Sequence, residues 1–179
     1  MRKITFEILV IALLWVSLFR LNEWLFSTIS ISQHINWIFL PAALRMVSVM
    51  LLGATGSIGL ILGALITSNP ASPVIDALAL ATLSGLCPYI SVAICNHLFR
   101  LPSDLGGLSA KQLVYFALAG GVLSVVPHHL YFYSLNHVSY LFEGAGPMLV
   151  GDIVGALIML YAANLIIRLT DKALALSNP

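Results

Sequence analysis

Charge is scarce in this chain. Among 179 residues there are eight Lys or Arg and seven Asp or Glu, 8% of the sequence, where a soluble domain carries roughly 25%. With a net charge of +1 there is no basic face to neutralise phosphates, which excludes a nucleic-acid partner. Cysteine is as sparse: Cys87 and Cys95 lie on one expected helix, about 12 Å apart by helical rise and beyond disulfide reach. They read as packing residues. The alternating pattern of an outer-membrane barrel is missing, as are internal repeats and low-complexity linkers. No polar stretch is long enough for a soluble catalytic or DNA-binding module. The first apolar run lacks a small-residue cleavage site after it, so it reads as a retained helix rather than a secretory signal.

What the chain has instead is apolar length. Sixty per cent of it is hydrophobic and the mean hydropathy is +1.00. A helix needs about 20 mostly apolar residues to cross a bilayer, and lipid offers the backbone no water partners. The expectation is therefore an all-α integral membrane protein, a single transmembrane domain over residues 1–179. Six spans are expected at about 4–26, 36–52, 55–68, 74–99, 110–134 and 147–169, with soft boundaries. The second and third must cross with about 16 residues each. Two short tilted spans are the favoured reading, and a re-entrant hairpin is the rival.

Orientation follows from the few cations. Arg2 and Lys3, Arg100 and Lys111, and Arg168 and Lys172 fall on one side of six spans, and the positive-inside rule makes that side cytoplasmic, with both termini there. The opposite loops contain no Lys or Arg. Trp24, Trp37, Tyr131, Tyr133 and Tyr140 gather at that outer boundary, as interfacial aromatics do.

Arg45 in the second span and Asp152 in the sixth are charges set within otherwise apolar stretches. A charge at hydrocarbon depth costs about 2.5 to 3.5 kcal/mol on insertion scales, so each requires a partner, water or a purpose. Both lie on helices that enter from outside, Arg45 about 14 Å along its helix and Asp152 about 8 Å along its own. Helical side chains lean toward the N-terminus, outward for Arg45, so its stem can reach the depth of Asp152. An interior pair is geometrically open. It reads either as a structural pair that fixes helix register, as a ligand site or switch, or as a proton relay.

Small residues line several helices. Gly56, Gly59 and Gly63 in the third span, and Gly151 with Gly155 in the sixth, have the spacing that lets membrane helices approach closely. In the fifth, Ala117, Gly120, Gly121, Ser124 and His128 recur at helical spacing, so His128 is expected to face the bundle and joins Arg45 and Asp152 as a ligand or switch candidate. Pro127 loosens the helix beside it. Ser84, Pro88, Ser91 and Cys95 form a similar stripe in the fourth.

Four histidines, His34, His128, His129 and His137, map to the outer side with Glu143 nearby. Their spacing does not match a metal site, so no metal or cofactor is expected and they read as interfacial. Ser84-Gly85 is a fragment of an intramembrane protease signature without its Gly-x-Ser-Gly context, and Cys87 has no base at matched depth. The expectation is a protein that is not an enzyme.

The order of these features resembles the first-type membrane-associated sensor domain, a bacterial integral membrane input module found ahead of diguanylate cyclases, phosphodiesterases and histidine kinases. The resemblance lies in Leu40-Pro41-Ala42-Ala43-Leu44, the apolar run to Leu51-Leu52-Gly53, then Leu62-Gly63-Ala64. Near the end, Gly151-Asp152-Ile153-Val154-Gly155-Ala156-Leu157 is similar to the family's Gly-Asp-x-x-Gly stretch. The match covers roughly residues 36–170. The chain departs from the pattern in being shorter, in carrying Arg45 where an apolar residue is usual, and in having no output domain. The resemblance implies a sensor-like subunit of the bacterial inner membrane, in contact with membrane lipid. It would bind a small-molecule ligand in the bundle, another membrane protein or the subunits of a complex, or both. The solute-binding component of a vitamin or small-molecule transporter is the alternative for a chain of this size.

Overall fold

A computed structural model of the chain describes residues 2–32, 35–99, 110–135, 144–159 and 161. These form six helices: α1 (Arg2–Phe26), α2 (Pro41–Leu52), α3 (Ala54–Ile66), α4 (Val74–Phe99), α5 (Ala110–Ser134) and α6 (Ala145–Met159). Three of them, α1, α4 and α5, are long and apolar enough to cross a membrane. Helices α2 and α3, with 12 and 13 residues, are about 18 and 20 Å long, well short of the roughly 30 Å hydrocarbon core.

The connection expected as a plain outer loop contains a small antiparallel pair, β1 (Ser30–Ser32) with β2 (Ile35–Asn36). The second span, expected from residue 36, becomes helical only at Pro41. Acceptors outside the segment hold residues 36–40 out of the helix. The Leu40 amide donates to Asn22 Oδ1 of α1 at 2.9 Å, and the Phe39 amide to the Gly151 carbonyl of α6 at 3.0 Å. Pro41 then opens α2 without a backbone N–H to satisfy. Gly53, at φ 55°, joins α2 to α3 in a turn of one residue.

Helix α1 packs along α3, α3 on α4 and α4 on α5, while α2 touches α1, α3, α4 and α5 from the inside. Three of the four core clusters contain α2 residues: Val49 with Ile11, Trp15 and Leu60; Ala42 and Ala43 with Ala117 and Ala156; and Met46 with Cys95 and Phe116. The short helix is the centre of the bundle because its length is hidden by longer neighbours. Cys87 and Cys95 are both free and buried.

The outward surfaces are apolar, as with Leu13 (68% exposed) and Ile75 (72%), whereas Arg45, Ser48, Ser91 and Asp152 are buried. A water-soluble protein would have the opposite distribution. The glycines make the close packing possible. A β-carbon on Gly151 would run into the Asn36 carbonyl, one on Gly155 into that of Phe39, and one on Gly56 into that of Ser48. Gly59 and Gly63 receive the side chains of Ile11 and Trp15. Stripes readable in the sequence are thus the seams of α3 and α6.

Candidate functional site

Arg45 of α2, Ser124 of α5 and Asp152 of α6 meet at the centre of the bundle. Arg45 donates through one terminal nitrogen to Asp152 Oδ1 at 2.7 Å and through the other to the Ser124 hydroxyl, which in turn partners the Asp152 carboxylate. The two charged side chains are 6% and 5% exposed. Removing both charges from water is tolerable only because they meet each other at hydrogen-bond distance.

Aromatic rings complete the setting. The guanidinium carbon lies 4.9 Å from the Phe39 ring centroid and 6.0 Å from that of Trp15, within cation–π range. Trp15 is fixed by its indole N–H, which donates to Thr67 Oγ1 at 3.1 Å. Phe39 stands edge-on to both Trp15 and Phe19. One nitrogen of the arginine is left over: Nε is buried and has no hydrogen-bond partner among the described residues.

A cavity of about 70 Å³ lies against the pair. Phe19, Phe39, Leu80 and Ala81 give it apolar walls, His128 and Ser84 add polar atoms, and the α3–α4 connection contributes Ser68, Asn69 and Ser72. A second cavity, of about 20 Å³, touches Met46, Pro88, Gly120 and Gly121. Arg45 and Asp152 wall both, so the ion pair is the partition between them.

The structure thus brings together Arg45, Asp152 and His128. His128 and its neighbour His129 are both buried in the bundle, as expected for His128 and against the interfacial reading of His129. Each donates Nδ1–H to the carbonyl four residues back, His128 to Ser124 at 2.7 Å and His129 to Val125 at 3.0 Å, and His129 packs edge-on against Phe132. Each thus gives one ring nitrogen to its own helix, while among the described residues His129 Nε2 is buried without a hydrogen-bond partner. His34, His137, Tyr140 and Glu143 lie outside the described residues. Among the described residues, no three His, Cys, Asp or Glu side chains come together as metal ligands would. Ser84 lines the cavity, with its hydroxyl donating to the Leu80 carbonyl at 2.9 Å.

Sequence reasoning passed over Trp15, Phe39, Thr67 and Asn22. Asn22 had a signal, a lone amide one turn from the end of an apolar helix. The aromatics had none, since a ring facing lipid and a ring facing a buried cation look alike in an apolar run. Comparison with protein-family models, with curated proteins and with solved structures finds no match to this chain.

Proposed function

We propose that this chain is a non-enzymatic, sensor-like integral membrane subunit that binds a small ligand inside its helical bundle and passes the change to a partner membrane protein. The observation that carries the reading is the cavity floored by Arg45 and Asp152, with His128 in its wall. Pockets with apolar walls and a few converging polar groups are where small molecules bind. Intramembrane ionisable groups commonly belong to such sites. The apolar exterior around a charged centre supports placement in a bilayer.

In this reading the six helices lie in a bacterial inner membrane with both termini in the cytoplasm. Helices α2 and α3 enter either as short tilted spans or as a hairpin from one face, and the charge parity of the loops is the same for both. The motif order shared with membrane-associated sensor domains supports the sensory role. The glycine seams leave α6 directly against the segment before α2, so a ligand that disturbs Arg45 and Asp152 would act on the contact between these elements.

The test is a thermal-shift screen of the protein in mild detergent against small amines, carboxylates, amino acids and sugars, repeated with Arg45→Ala. A saturable shift in the wild-type protein that is lost in a folded variant supports the proposal. No shift with any class removes the ligand from it. A second reading, the solute-binding component of a transporter, is favoured by the ion pair standing between two cavities. Co-purification separates the two: associated ATPases and an energising subunit favour transport, and a kinase or cyclase favours sensing.

A further inference from the structure

The arginine at the cavity floor is under-used. Asp152 engages Arg45 through one oxygen on one terminal nitrogen, the other terminal nitrogen goes to Ser124, and Nε–H has no partner among the described residues. A guanidinium and a carboxylate pair best through two parallel hydrogen bonds. A second carboxylate entering from the cavity supplies two such bonds to the guanidinium once the Arg45–Asp152 bond opens.

Charge balance restricts how it can enter. Arg45 and Asp152 sum to zero, so an added anion would leave one uncompensated negative charge in a buried site, which is strongly unfavourable. Uptake of one proton by Asp152 removes it. Among the described residues, the titratable or charged groups around Asp152 are Arg45 from α2, His128 from α5 and Cys87 from α4. Cys87 is buried apart from the cavity lining, and His128, which gives Nδ1–H to the Ser124 carbonyl, is the rival acceptor through its other ring nitrogen. Asp152 is the group whose own partner the ligand takes.

We propose that the cavity binds a short-chain monocarboxylate together with one proton; this rests on the ligand-binding reading above. The incoming carboxylate forms the ion pair with Arg45, the Arg45–Asp152 bond breaks, and a proton from solution converts Asp152 to a neutral carboxyl that stays beside Ser124. No other bond changes and the site remains neutral. Size sets the chain length. At roughly 10 to 15 Å³ per water-sized volume, a cavity of about 70 Å³ holds about five to seven such volumes, which suits an acid of three or four carbons. Its tail would lie against Phe19, Phe39, Leu80 and Ala81.

The experiment uses the full chain in mild detergent with ¹³C-labelled butyrate as probe, from pH 5 to pH 8, by NMR titration and by proton uptake in weak buffer. Saturable binding is expected, with affinity falling about tenfold per pH unit above the protonation point and one proton taken up per butyrate. Asp152→Asn, which mimics the protonated carboxyl, should keep butyrate binding and lose the pH dependence. Butyrate should also raise its melting temperature more than that of the wild type. His128→Gln should keep the wild-type pH slope. Equal slopes in wild type and Asp152→Asn, or binding without proton uptake, would overturn the proposal. If Asp152→Asn does not fold, the wild-type proton count still decides. Octadecanoate tests the lipid as a source of the carboxylate: it should not compete with butyrate, and competition would overturn the size argument. Failure of butyrate where an amine or sugar binds sinks this inference and leaves the ligand-binding reading standing; failure of every class sinks both.

Discussion

The Phe39 amide donates to the Gly151 carbonyl at 3.0 Å, one residue before Asp152 reaches Arg45. This backbone bond clamps α6 against the extended segment ahead of α2, and both partners of the buried ion pair are positioned from it. Phe39 also offers its ring to the guanidinium. A single residue thus contributes to the packing seam and to the site.

Gly151→Ala should therefore be among the most damaging small changes in the chain. Its new methyl group meets the backbone carbonyl of Asn36, which cannot step aside without opening the Phe39–Gly151 bond. A loss at or above the upper end of the usual 1–3 kcal/mol for overpacking is expected. Gly120→Ala meets only the flexible Met46 side chain and should cost less than Gly151→Ala. Melting temperatures of the two variants in the same detergent check the order.

The ion pair should show strong non-additivity. Arg45→Met or Asp152→Leu alone leaves one buried charge and should destabilise the protein by about 3–5 kcal/mol, while the double variant should recover a large part of the loss. A double-mutant cycle by chemical or thermal unfolding measures the coupling. Simple addition of the two losses would show that Arg45 and Asp152 do not meet in the folded protein.

Trp15 is held by one hydrogen bond, and Thr67→Val removes its acceptor while keeping the shape. A cost of about 1 kcal/mol is expected, with a change in Trp15 fluorescence because the ring is buried beside Arg45. Trp24 and Trp37, the other two tryptophans, are exposed and should not respond. An unchanged spectrum from a protein in which Trp24 and Trp37 are replaced by Phe would contradict the contact.

Much of the helical plan could be read directly, because span length and glycine spacing are local properties. The limits expected for α4 and α5 coincide with those observed. The start of α2 could not be read, since the acceptors that keep residues 36–40 extended, Asn22 and Gly151, lie 18 residues before and more than 100 after. Arg45 and Asp152 stood out because charges in apolar runs are costly. Phe39 and Thr67 did not, because their roles depend on what folds against them. His129 misled for a related reason: histidines near the end of a span suggest the interface, and only the backbone four residues back shows where a buried one places its Nδ1–H.

Arg45 and Asp152 are 107 residues apart in the chain. At roughly 5–20 residues per second of synthesis, the cation spends about 5–20 s in the nascent protein before its counter-ion exists. Ser124 arrives sooner, 79 residues after Arg45. Trp15 and Phe39 precede it, so their ring faces can host the guanidinium from the moment α2 forms. The aromatic contacts that look secondary in the finished bundle are thus the arginine's first shelter, and α6 closes the structure by bringing the charge that relieves them.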